Sequence, residues 1–160
     1  MKKTIFVFSI VMALSILKTN AQIYSASYFG TSGVGIIYYP NGYYYGEIYN
    51  GFANGQGVCY WSDGSFYYGG FYSGYCNGAG VLVSKYGYIS GCWYNGSFIG
   101  NCPNGTPYNQ SQVENIVFQV QDDRPEETRD EYPGVPPEKY KITKIDPNTQ
   151  MGRQLLGKLK

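Results

Sequence analysis

The chain has 160 residues and no histidine. The commonest general base is therefore missing, and neither a Ser-His-Asp nor a Cys-His arrangement can be assembled. Its four cysteines include no CxxC pair, so a zinc site is not expected. Charge is also scarce: between Gln22 and Val120 only Glu47, Asp63, Lys85 and Glu114 are ionised. Without a basic face, nucleic acid is not an expected partner. Glu47 falls in a strand pattern and Asp63 in a turn, so the two do not form a catalytic carboxylate pair. The stretch "GTSGVG" lacks the Lys-Ser/Thr that a phosphate loop requires. The longest apolar run, Ile5 to Leu17, falls short of the roughly 20 residues of a membrane span. These absences argue against an enzyme, and no cofactor or metal is expected.

That apolar run has the layout of a Sec-type export signal. Lys2 and Lys3 precede it, and a small-residue exit at Ala21 follows. Residues 1–21 are read as a signal peptide of bacterial type. Cleavage would leave a periplasmic or secreted chain without a transmembrane span. It would remove Lys2, Lys3 and Lys18, taking 12 basic residues to 9 against 11 acidic ones, a net charge of −2.

What the chain does have is glycine (22 residues) and tyrosine (19), placed with a period. "YYGEIYNG" (44–51) returns as "YYGGFYSG" (67–74) and as "ISGCWYNG" (89–96). "GVGIIYYPNG" (33–42) matches "GQGVCYWSDG" (55–64), adding the second half of an earlier unit. Within a unit, Tyr44, Gly46 and Ile48 alternate with Tyr45, Glu47 and Tyr49. Period two means a strand. Gly51 and Gly55 are read as bracketing a loop, Val58 to Trp61 as a second strand, and Asn41-Gly42 and Asp63-Gly64 as tight reversals. Each unit is then one β-hairpin, marginal alone and stabilised by stacking. The expected repeat core is Tyr44, Ile48, Trp61, Tyr67, Phe71 and Trp93. Gly46, Gly69 and Gly91 are expected to let a neighbouring ring or backbone come close.

The unit Y-x-G-x-[I/F/W]-x-x-G-x-x-x-G-x-[G/C], closed by a [D/Y]-G turn, resembles the MORN repeat (membrane occupation and recognition nexus). The first unit carries the pattern at Tyr44, Gly46, Gly51, Gly55, Gly57, Asp63 and Gly64, with Ile48 at the usual tryptophan place. The second carries it at Tyr67, Gly69, Phe71, Gly74, Gly78, Gly80 and Gly87; the third at Gly91, Trp93, Gly96 and Gly100, with Ile89 and Cys102 as departures. Choline- or glucan-binding repeats share the Tyr-Tyr, Trp and Asp-Gly content, but the G-x-x-x-G-x-G run favours MORN. The resemblance implies an all-β fold: an open, single-layer array of stacked antiparallel hairpins over residues 22–105. MORN units often carry lysine and arginine, which are nearly absent here, so acidic-lipid binding does not transfer.

In an exported protein, four cysteines argue for two disulfides. Hairpin register places Cys92 (unit position four) near Cys102 (position fourteen). Of three connectivities this favours Cys92–Cys102, with Cys59–Cys76 between neighbouring units.

Beyond the repeats, "VENIVFQV" (113–120) reads as a strand, making residues 106–120 an edge-capping element. Residues 121–160 are charged and proline-rich and are expected to be mostly disordered. They end in "MGRQLLGKLK", a short amphipathic segment. Residues 106–160 are too short and polar to be a catalytic domain. The expected function is a protein-binding scaffold, or self-association, in the cell envelope. The alternative is a module for a glycan or lipid headgroup. In either case the binding aromatics are expected to be Tyr45, Tyr49, Tyr68, Tyr72 and Tyr94.

Overall fold

A computed structural model describes residues 23–24, 32–105, 107–128 and 137–159. The proposed signal peptide lies outside the described residues. Among the described residues, eight strands form one antiparallel meander in chain order. They are β1 (Ile23–Tyr24), β2 (Ser32–Tyr39), β3 (Gly42–Tyr49), β4 (Phe52–Trp61), β5 (Phe66–Tyr72), β6 (Tyr75–Ser84), β7 (Gly87–Tyr94) and β8 (Ser97–Gly100). Among the described residues, two α-helices follow, α1 (Gln110–Asp122) and α2 (Gln150–Leu156). No helix among the described residues is long and apolar enough to cross a membrane.

The period of the sequence becomes rows across the sheet. Gly35, Gly46, Gly57, Gly69, Gly80 and Gly91 are successive register partners across six strands. Two positions on, Ile37, Tyr44, Cys59, Tyr67, Leu82 and Ile89 form a second row; the next contains Tyr38, Tyr43, Tyr60, Phe66, Val83 and Tyr88. The glycine row explains the motif. A side chain at Gly57 would meet the Tyr44 ring at 2.5 Å, and one at Gly80 would meet the Tyr67 hydroxyl at 2.2 Å. The tyrosine at unit position one therefore lies flat over the glycine at position fourteen. Its hydroxyl donates to the carbonyl of position four: Tyr44 to Glu47 at 2.6 Å and Tyr67 to Gly70 at 3.3 Å. Burial pushes both phenols well above their ordinary pKa, with the Glu47 carboxylate adding to the effect at Tyr44, so they remain donors.

The third unit has Ile89 in place of that tyrosine and cannot make the stitch. Its positions four and fourteen are instead joined covalently, as the disulfide Cys92–Cys102, with Cα atoms 5.0 Å apart. The Phe98 ring takes the space over Gly91.

The second expected bridge is absent: Cys59 and Cys76 are free thiols. Cys59 pairs Tyr67 from one side of β5 and Cys76 pairs Phe71 from the other, four positions along. Two strand spacings, about 9.6 Å, already exceed what a disulfide spans. Burial pushes the Cys59 thiol up to about 12 and raises Cys76 as well, so neither is a thiolate near neutral pH. Non-reducing peptide mapping is expected to find one bridge, Cys92–Cys102, with Cys59 and Cys76 alkylated only after denaturation. Cys102→Ser is expected to cost about 2–3 kcal/mol in urea unfolding by loop-entropy reckoning.

Three further expectations are corrected. The hairpin reversal is two residues long, not a loop from Gly51 to Gly55. Asn50 and Gly51 take φ of 47° and 84°, and Ser73-Gly74 and Asn95-Gly96 repeat this. Positive φ at both central residues matches the strand twist. The residues read as loop belong to β4, which carries a register shift opposite Gly46/Ile48.

Second, residues 113–120 are helical, not a strand. Val113, Ile116, Val117 and Val120 sit at i, i+3, i+4 and i+7 and are all buried. Asn109 caps the helix: its side chain accepts from the Gln112 N–H at 3.0 Å, and its own N–H donates to the Gln112 side chain at 2.9 Å.

Third, the described part of the tail is packed, so the sheet is covered rather than a bare single layer. On one face, α1 and Tyr140 close over Tyr43, Tyr60, Phe66 and Val83. On the other, Ile145 and Leu155 close over Tyr44, Tyr67, Leu82, Ile89 and Trp93, with Leu156 and Leu159 beside them. Between these, the chain runs along the end of β7: the Tyr88 N–H donates to Thr143 O at 2.9 Å and the Ile145 N–H to Tyr88 O at 2.7 Å. Lys158 then pairs with Asp63.

Candidate functional site

The five tyrosines expected to bind do not form one surface. β3 carries Tyr45 and Tyr49 on the same side, but the register shift in each hairpin separates the sheet into a covered half and an open half. Tyr45 and Tyr68 lie in the covered half, partly buried against the α1 cluster. Tyr49, Tyr72 and Tyr94 lie at the hairpin tips, 55%, 63% and 66% exposed. Of the expected core residues, Tyr44, Ile48, Tyr67, Phe71 and Trp93 are buried, and Trp61 is half-buried beside the same cluster.

The tips are held in register by the backbone. The Gly74 N–H donates to Ala53 O at 2.9 Å, and the Gly96 N–H donates to Cys76 O at 3.0 Å. The second and third tips thus each rest on the preceding hairpin. Phe52 and Tyr75, directly across the turns from Tyr49 and Tyr72, are also exposed. Sequence reasoning missed these two because it placed them in a loop; their recurrence at unit position nine was the available signal. The result is a ladder of five exposed rings along one end of the sheet, with no charged residue in any of the three turns.

The second candidate is a groove of about 200 Å³ where α1 meets the sheet. Tyr45, Val58 and Tyr68 are consecutive register partners on β3, β4 and β5, and all three line it. Tyr68 is braced by Tyr108, with ring centroids 6.1 Å apart in an edge-to-face arrangement. Gln56 from β4 and Gln119, Asp123 and Arg124 from α1 and its exit supply polar groups. Arg124 is held from below: its Nε donates to the Tyr43 hydroxyl at 3.3 Å, and its guanidinium lies 4.8 Å from the Tyr60 ring centroid. No sequence signal marked Gln119, Asp123 or Arg124, because a strand reading of residues 113–120 gives them no common position.

Among the described residues, no group of three or more His, Cys, Asp or Glu is placed to hold a metal. Compared with known proteins, the chain matches no protein-family model and no curated protein.

Proposed function

We propose that this chain is an exported, non-catalytic repeat protein of MORN-like build. It serves as a scaffold of the bacterial cell envelope, holding a protein partner on its hairpin tips. The observation that carries this reading is the ladder of Tyr49, Phe52, Tyr72, Tyr75 and Tyr94, each about half or more exposed. Contiguous exposed aromatics mark interaction surfaces, and tyrosine is among the residues that dominate binding energy at interfaces. The repeat fixes their spacing, and the backbone bonds between tips fix it rigidly, so little ordering entropy is lost on binding. The absence of charge from the turns argues against anionic lipid and for a partner bound by apolar burial, in a manner insensitive to salt.

The test is a cross-linked pull-down from envelope extract with the wild-type chain and with a Tyr49→Ser, Tyr72→Ser, Tyr94→Ser triple variant. The variant is expected to keep its circular dichroism and lose a captured protein at both low and high salt. An unchanged set of captured proteins would overturn the reading. A second copy of this chain, recovered as the partner and lost in the variant, would make the scaffold a self-associating one.

A further inference from the structure

We propose that the groove beside α1 is a binding site for a single neutral sugar ring, separate from the hairpin tips. The width of the slot follows from the register. Tyr45 and Tyr68 stand two strands apart with Val58 between them, so their backbones are about 9.6 Å from each other. A ring seated over Val58 makes van der Waals contact with both tyrosines at about 3.5–4.0 Å, and a second ring has no room. The volume agrees: about 200 Å³ lies below the roughly 300 Å³ at which drug-sized sites begin.

The chemistry of the edge selects the kind of ring. Gln56 and Gln119 each offer a donor and an acceptor, and Asp123 offers acceptors. Adjacent hydroxyls are themselves donors and acceptors, and they match this mixture. Arg124 is buried and already engaged by Tyr43 and Tyr60, and the exposed Asp123 carboxylate disfavours an anion. A bare aromatic ring would fit the slot but would leave those polar groups desolvated, at about 1–3 kcal/mol for each one unpaired. A pyranose also suits the walls, because its C–H edge meets the negative face of a tyrosine ring. Tyr108 fixes Tyr68 in place before any ligand arrives.

The full mature chain is titrated with glucose, galactose, mannose and N-acetylglucosamine by calorimetry and saturation-transfer NMR, with glucose 6-phosphate and phenol as comparisons. At least one neutral sugar is expected to bind, and more tightly than either comparison compound. Tyr68→Ala and Gln119→Ala are each expected to weaken it at least about tenfold, the loss of one good contact. Gln119 is exposed on α1, so its replacement leaves the fold intact should Tyr68→Ala fail to fold. Tyr72→Ala, at a hairpin tip, is expected to leave sugar affinity unchanged. The proposal is overturned if none of the four sugars binds at about 10 mM, if binding survives Gln119→Ala unchanged, or if phenol binds and the sugars do not. None of these results bears on the partner held at the tips, whose test reads captured protein and not sugar affinity.

Discussion

Ending the chain after Gln121 is expected to lower its melting temperature by about 10 °C, a net loss of a few kcal/mol for a domain of this size. The truncation removes Tyr140, Ile145 and Leu155, each less than a tenth exposed. Burying such a side chain contributes about 1.5–3 kcal/mol, part of which is offset by the chain entropy that the freed segment regains. It also removes specific polar contacts: the Tyr140 hydroxyl donates to Gly64 O at 2.5 Å, and Lys158 pairs with Asp63. The Asp63 carboxyl is partly desolvated, which alone would raise its pKa. The Lys158 and Ser65 hydrogen bonds outweigh that and hold it below the ordinary value. Without the tail, Leu82, Ile89 and Trp93 would lose the layer that closes over them. A thermal melt followed by circular dichroism measures the effect. An unchanged midpoint would show that residues 122–160 are a tether and not part of the fold.

Trp93→Ala is expected to cost about 3–5 kcal/mol, the range for emptying a large buried aromatic site. Trp93 is 1% exposed and sits edge-to-face between Tyr67 and Phe98, with both centroid distances 5.0 Å. Its indole N–H is buried and has no hydrogen-bond partner among the described residues. Trp93→Phe removes that unpaired donor together with some volume, and is expected to be much milder than Trp93→Ala. Tyr72→Ala, on the exposed tip, is expected to stay within about 0.5 kcal/mol of the wild type. Urea unfolding of the three variants decides the matter: equal losses at Trp93 and Tyr72 would place the core on the wrong side of the sheet.

Local periodicity carried the sheet and much of its inner packing. A 22- to 23-residue repeat with period-two alternation and a turn signal between its two strand patterns reads as stacked hairpins. The same repeat brings glycine against glycine from Gly35 to Gly91. The Cys92–Cys102 bridge was legible for this reason, because position fourteen faces position three across the hairpin, which leaves position four one residue away from it. Three of the five tip rings were legible too, as Tyr49, Tyr72 and Tyr94.

Tertiary structure decided the rest, wherever a local pattern fitted two structures or where the partner lay far along the chain. "VENIVFQV" suits a strand by composition and a helix by spacing. The open face of Tyr43, Tyr60 and Phe66 selects the helix, because only that spacing puts Val113, Ile116, Val117 and Val120 on one side. The tail is polar on average, and the average conceals Tyr140, Ile145 and Leu155, three residues spaced to reach two different faces of the sheet. The groove edge of Gln119, Asp123 and Arg124 exists only once α1 has docked. Cys59 and Cys76 lie on opposite sides of β5, a separation set by strand order and register that no spacing within one unit reveals.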